Sequence, residues 1–341
     1  MRSLHRAIGS VLASAALVAA IAAPASATDT GRVERLFHDD FRAGFDTVDT
    51  WVVDRDGVPT TSDAGLNVRS SGTNPVTGEP AFVFTTPQED DGGLGASDEV
   101  KWGATVNHTS SNGIRGFDVP DGSVFRCEVE LAVRTYGTAA HPFGDLAGPP
   151  DHDLRLASAT VQAADPETGS VFTYFVTNRL IYAAYARQPK PGQDHASFFY
   201  AIPVVPRVPS QSNSLALEYD KDAGVVHWVV DGRRVLRLDR IGELAFDRTY
   251  LLTDHGGTPR LAHPRQLYCG FSTVTFLDGA GRDGRGLVRL SSLPDTYYAP
   301  RVGAPTPAEF YDDESLESNR LWGQGIEIQV DHVTVTLRHG S

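Results

Sequence analysis

Apolar and polar residues alternate at period two in short runs along most of the chain, and glycine or proline interrupts these runs about every ten residues. Residues 81–85, 124–133, 157–163, 170–185, 214–219, 225–238, 266–276 and 325–337 read as strands. Past the first 30 residues, no stretch of a dozen carries apolar positions at the 3.6-residue spacing of a helix. The pattern therefore predicts an all-β protein. Its clearest hairpin is Val225-Val226-His227-Trp228-Val229-Val230-Asp231-Gly232-Arg233-Arg234-Val235-Leu236, where Asp231-Gly232 suits the positive φ angles of a two-residue turn. A second turn at 220–224 extends this to a meander of three antiparallel strands. Between the runs lie long segments at 54–78, 87–95, 141–153, 189–196, 253–264 and 300–317, where binding residues are commonly carried. No linker divides the chain and no repeat has a fixed period, so a single domain is expected.

The N-terminus differs from the rest. Arg2 and Arg6 precede an apolar run over 7–23, and Ala25-Ser26-Ala27 has the form of a signal-peptidase site. Residues 1–27 are read as a secretion signal and 28–341 as the mature, extracellular domain. Gly9, Ser10, Ser14 and Pro24 weigh against the alternative, a membrane anchor. No later stretch approaches the roughly 18 apolar residues of a spanning helix, so membrane insertion is not expected. The formal charge is −13, and loss of Arg2 and Arg6 would deepen it by two. An acidic surface repels phosphate backbones and anionic lipid, which argues against nucleic-acid partners. In an exported chain the two cysteines, Cys127 and Cys269, are expected to form one disulfide between two strand-like segments. Two buried thiols are the alternative, and neither cysteine has a partner at CxxC spacing for a structural zinc.

Several motifs occur in one order along most of this length. Phe37-His38-Asp39-Asp40-Phe41, then Phe45-Asp46 and Trp51, resembles the opening strand of concanavalin A-like glucanases and lectins. His227-Trp228-Val229-Val230-Asp231-Gly232 resembles their W-x-V-D-G hairpin, and Gln266-Leu267-Tyr268-Cys269-Gly270-Phe271-Ser272 the long strand after it. Ile328-Gln329-Val330-Asp331-His332-Val333-Thr334-Val335 resembles their closing strand. The resemblance implies a two-sheet jelly-roll sandwich of the concanavalin A-like kind, a monomer, and a glycan or other small molecule as ligand.

Hydrolases of that superfamily carry Glu-x-Asp-x-x-Glu on one strand, so that alternation aims the carboxylates into a single cleft. The stretch in the corresponding place, residues 170–182, has no carboxylate. Glu128 and Glu130, two apart and so on one strand face, are the substitute catalytic candidates. Tyr174, Asn178, Arg179, Tyr182, Tyr185 and Arg187 form a candidate substrate-binding set, since aromatic faces with planar amide or guanidinium donors suit sugars and organic acids. Asp145, Asp151, His152 and Asp153 share one loop and Asp254, His255 and His263 another. Such oxygen-rich loops can hold calcium, although aspartates that form turns are the commoner explanation of them, and no transition-metal motif or other cofactor signal is present. Ser212 and Ser214 lie in no nucleophile-elbow pattern. The expected function is a secreted carbohydrate-interacting sandwich, a glycoside hydrolase if its acids converge. The alternatives are a non-catalytic lectin-like or structural module, and a lyase or cyclase using Tyr, His and Arg in an apolar cleft.

Overall fold

The computed structural model describes residues 31–55, 57–70, 100–293, 295–319 and 325–340. The expected leader at 1–27 and the strand expected at 81–85 lie outside the described residues. Two antiparallel sheets make up the body. The eight-stranded sheet runs β14 (Arg233–Leu238), β13 (Val225–Val230), β12 (Ser212–Asp220), β7 (Ser123–Tyr136), β19 (Gly325–His339), β4 (Gly65–Ser70) and β3 (Gly57–Ser62), with β1 (Val33–Asp39) also paired to β19. The nine-stranded sheet runs β15 (Leu251–Asp254), β11 (Phe198–Pro206), β10 (Leu180–Arg187), β9 (Ser170–Val176), β8 (Ser158–Asp165), β16 (Gln266–Val274), β5 (Val100–Val106) and β2 (Trp51–Arg55), with β6 (Phe117–Asp118) on β16. A short parallel pair, β17 (Gly286–Val288) and β18 (Phe310–Asp312), lies apart.

Alternation builds the core. Along β7, Phe125, Cys127, Val129, Leu131 and Val133 are buried, while Arg126, Glu128, Glu130 and Arg134 stand on the other side. The buried set meets Phe172, Tyr174, Ile181, Tyr185 and Phe271 of the opposing sheet in one cluster. Three polar or covalent ties cross that core. Cys127 and Cys269 form a disulfide between β7 and β16, with Cα atoms 5.6 Å apart. Trp228 Nε1 donates to Thr173 O at 2.8 Å. The Tyr174 hydroxyl lies 3.0 Å from Ala216 O and 2.9 Å from Val229 O. The opening motif is a fourth tie: Asp39 of β1 accepts from Phe41 N and from Trp51 Nε1 of β2, both at 2.8 Å, and so links the two sheets.

The expected meander is present as β12, β13 and β14, and Asp231 and Gly232 have φ of 48° and 75°. The run at 170–185 is two strands rather than one, turned at Thr177, whose hydroxyl accepts from Leu180 N at 3.1 Å. Part of the segment at 54–78 is the hairpin β3–β4, whose Pro59 is tolerated because β3 is an edge strand. β11 was hidden by Pro203 and Pro206; its neighbour β15 pairs only with Phe198 to Tyr200, so these prolines remove no ladder bond on that side.

The two outward faces differ. That of the eight-stranded sheet is polar. On the nine-stranded sheet, Phe175, Tyr182, Ala184, Ala201 and Val274 form an apolar outer surface with Leu154 and Phe276 packed on it. Beside it, Phe143, Ala147 and Leu156 of one connection pack against Leu277, Leu287, Val288 and Leu290 of another in a small second core. These two connections rise from the sheet as walls.

Candidate functional site

Between the walls is a cavity of about 420 Å³. Tyr182, Ala201, Pro203 and Leu252, supplied by β10, β11 and β15, contribute its floor. One wall carries Asp145, His152, Asp153 and Arg155 and the other Arg282 and Asp283, while Thr249, Tyr250 and Arg301 complete the lining. Apolar floor and polar rim are the composition of a small-molecule site.

Arginines brace the walls. Arg155, buried, donates to Asp153 through Nε at 2.9 Å and Nη2 at 2.7 Å, and also reaches Leu146 O at 2.7 Å and Gly279 O at 3.3 Å, which ties two walls together. Arg301 donates to Arg248 O at 2.6 Å and Gly281 O at 2.8 Å, and burial pulls its pKa down. Asp153 is thus spent on a structural pair. The Tyr182 hydroxyl donates to His152 O at 2.7 Å and anchors the floor to the first wall. Burial, with a smaller contribution from Asp153, holds its pKa well above the ordinary phenol value, so Tyr182 is a hydrogen-bond donor and not a base.

Other groups stay available. Tyr250 is 39% exposed at the rim. Among the described residues, the side chains of Tyr250, Arg282, Asp145 and His152 make no hydrogen bond or ion pair. Tyr250 is presented by a short turn in which Asp247 accepts from Thr249 N at 2.8 Å.

The structure divides the candidate binding set. Tyr182 alone of the six lines the cavity. Tyr174 and Tyr185 face the core because they fall on the opposite parity of their strands from the residues of the outer surface. Arg187 is buried and donates to Arg260 O at 2.7 Å, Gly242 O at 3.1 Å and Thr168 O at 3.3 Å. Asn178 is buried and pairs with both backbone groups of Thr135, accepting from its N–H at 2.9 Å and donating to its carbonyl at 2.8 Å. Arg179 is exposed, 3.9 Å from Asp151.

Glu128 and Glu130 stand on the polar face of the eight-stranded sheet, across the sandwich from the cavity. Burial raises the pKa of Glu128, but hydrogen bonds from Arg126 and Ser214 outweigh it and hold the carboxyl below its ordinary value. Such a group is a poor general acid. In the second loop cluster, Asp254 pairs with Arg248, His255 Nδ1 donates to Thr296 O at 2.6 Å, and His263 is exposed. Among the described residues, the one convergence of three potential metal ligands is Glu130, Asp331 and His332, outside both loop clusters. Tyr250, Arg282 and Asp283 were not singled out from sequence: they belong to connections without period or motif, and only packing brings them beside Tyr182.

Solved structures to which the chain is similar include an endo-1,3-beta-glucanase from Streptomyces sioyaensis, 14% identical, covering 93% of this chain and 99% of that one at a TM-score of 0.41. An endo-beta-1,3-glucanase from Pyrococcus furiosus is 9% identical, covering 92% and 97% at a TM-score of 0.40. Arcelin-5, a lectin-like defense protein from Phaseolus vulgaris, is 8% identical, covering 91% and 99% at a TM-score of 0.32. An uncharacterized protein of Acanthamoeba polyphaga mimivirus is 30% identical over 185 residues, covering 38% of this chain. The chain spans 42% of the length of that relative. Over residues 35–339 the chain belongs to a family of unknown function, DUF6081.

Proposed function

We propose that this family member is an extracellular carbohydrate-interacting sandwich that holds a glycan in the cavity over its nine-stranded sheet. The observation that carries the reading is the pairing of two tyrosines on one cavity, Tyr182 on the floor and the exposed Tyr250 on the rim, with the uncommitted donor Arg282 beside them. Sugar rings have apolar faces edged by hydroxyls, so they are matched by an aromatic surface flanked by directed donors and acceptors. The motif resemblance to concanavalin A-like glucanases and lectins points to the same ligand class. The disulfide and the leader expected at 1–27 support action outside the reducing cytosol. Among the described residues, no helix is long and apolar enough to cross a membrane.

Binding without turnover is the favoured mode. Tyr182 is held protonated, Asp153 is held by Arg155, and Glu128 and Glu130 are on the far side. A glycan array probed with the purified mature protein, with release of reducing ends followed in parallel, tests both parts. Retention of one glycan class without new reducing ends is expected. Turnover would replace the lectin-like reading with a hydrolytic one and direct attention to Asp145 and Asp283, the cavity carboxylates without an ion pair among the described residues. No binding and no turnover across the panel would overturn the carbohydrate reading.

A further inference from the structure

We propose that the polar face of the eight-stranded sheet carries a site for a divalent transition-metal ion of the zinc type, formed by Glu130, Asp331 and His332. The site begins with a fault in the longest strand. β19 follows β7 in steady register to Val330, then skips Asp331, so that His332 falls opposite Glu130. In an uninterrupted strand, Asp331 and His332 would point to opposite faces. The bulge lets both stand clear of the core between buried Val330 and Val333.

The ligand atoms converge. His332 Nδ1 is 2.9 Å from Asp331 Oδ2 and 3.9 Å from Glu130 Oε2, and all three atoms lie within 4.8 Å of one another. Tetrahedral zinc with ligands at about 2.1 Å sets them roughly 3.4 Å apart, so small side-chain rotations suffice to close the site. Each carboxylate is also oriented from behind. Arg42 Nη2 donates to Asp331 Oδ1 at 3.0 Å, and Ser212 Oγ donates to Glu130 Oε1 at 3.2 Å, leaving Oδ2 and Oε2 directed at the imidazole. Arg42 is itself fixed by Asp63 O at 3.1 Å and by Asp40 at 3.0 Å. Partners that hold the non-ligating atoms in this way are what preset a metal site. The His38 ring is 5.8 Å from that of His332, and it or water would complete four ligands. One imidazole with two carboxylates selects zinc, cobalt or nickel over calcium, which takes six to eight oxygens.

The ion would clamp β7 to β19 at the bulge, on the sheet that does not form the glycan cavity, so this inference is independent of the proposed function. The test uses untagged mature protein freed of metal by chelator, titrated with zinc in a calorimeter and with cobalt by visible absorption. One equivalent of each is expected, with the intense absorption of four-coordinate cobalt. His332→Asn and Glu130→Gln are expected to abolish the site, and Ser212→Ala to weaken it about tenfold. Excess calcium should not displace zinc. Absence of binding to the wild type, or an unchanged isotherm in a folded His332→Asn protein, overturns the proposal; Ser212→Ala gives a second reading should His332→Asn fail to fold.

Discussion

Tyr174, Tyr182 and Tyr185 are the same residue type on adjacent strands, yet one meets the cavity and two are sealed in the core. Their chemistry follows from parity along the strand. Tyr174 shares its one proton between the carbonyls of Ala216 and Val229. Tyr174→Phe should therefore leave those buried oxygens short of a donor and cost about 1 to 3 kcal/mol, measured by urea denaturation, without changing ligand affinity. The aromatic composition of 170–187 was legible in the sequence; the turn at Thr177 that assigns each ring its face was not, because a single long run fits the same alternation. A second residue-level expectation concerns pH. Burial pulls the pKa of His255 below the ordinary 6.5, outweighing the opposing effects of Thr296 O and Asp254. The unfolded chain then takes up this proton at a higher pH than the fold does. Stability is complete above about 6.5 and declines as pH falls below it. Burial shifts His141 and His227 in the same direction. The urea midpoint should be lower at pH 5.5 than at pH 7.5, and His255→Gln should flatten that slope; an unchanged slope would remove His255 from the account.

Among the elements, the strands with strict alternation and glycine-bounded turns were readable, and β7, β12, β13, β14, β16 and β19 lie where the pattern put them. β3 and β11 were not, since Pro59, Pro203 and Pro206 argue against strands unless it is known that one side of each lacks a ladder partner. The expectation of one disulfide is met, and the structure adds which sheets it joins. Its 142-residue separation makes the loop-closure contribution large, about 4 to 5 kcal/mol. Reduction, or the paired change Cys127→Ala and Cys269→Ala, should lower stability by an amount approaching this while far-UV circular dichroism stays that of a β protein. A loss below 1 kcal/mol would show that the sheets hold together without the bond. The bulge at Asp331 was invisible in the closing-strand motif, because one skipped residue leaves the order of residue types unchanged.

At the scale of the whole molecule, two long polypeptide faces compete for the role of binding surface. The sequence offered candidates on each, among them Tyr182 of the nine-stranded sheet, and set its catalytic candidates, Glu128 and Glu130, on the eight-stranded one. The structure builds a cavity on the other, from walls that are irregular in sequence and held by Arg155 and by the small core of Phe143, Leu156, Leu277 and Val288. Walls of this kind carry no periodic signal, so the cavity had to await tertiary packing. The choice between faces is decided by one set of binding isotherms, taken with the strongest glycan from the array on wild type, Tyr250→Ala and Glu128→Gln. The account predicts about a tenfold loss of affinity for Tyr250→Ala and none for Glu128→Gln. Full affinity in Tyr250→Ala together with loss in Glu128→Gln would contradict it and place the ligand on the eight-stranded sheet.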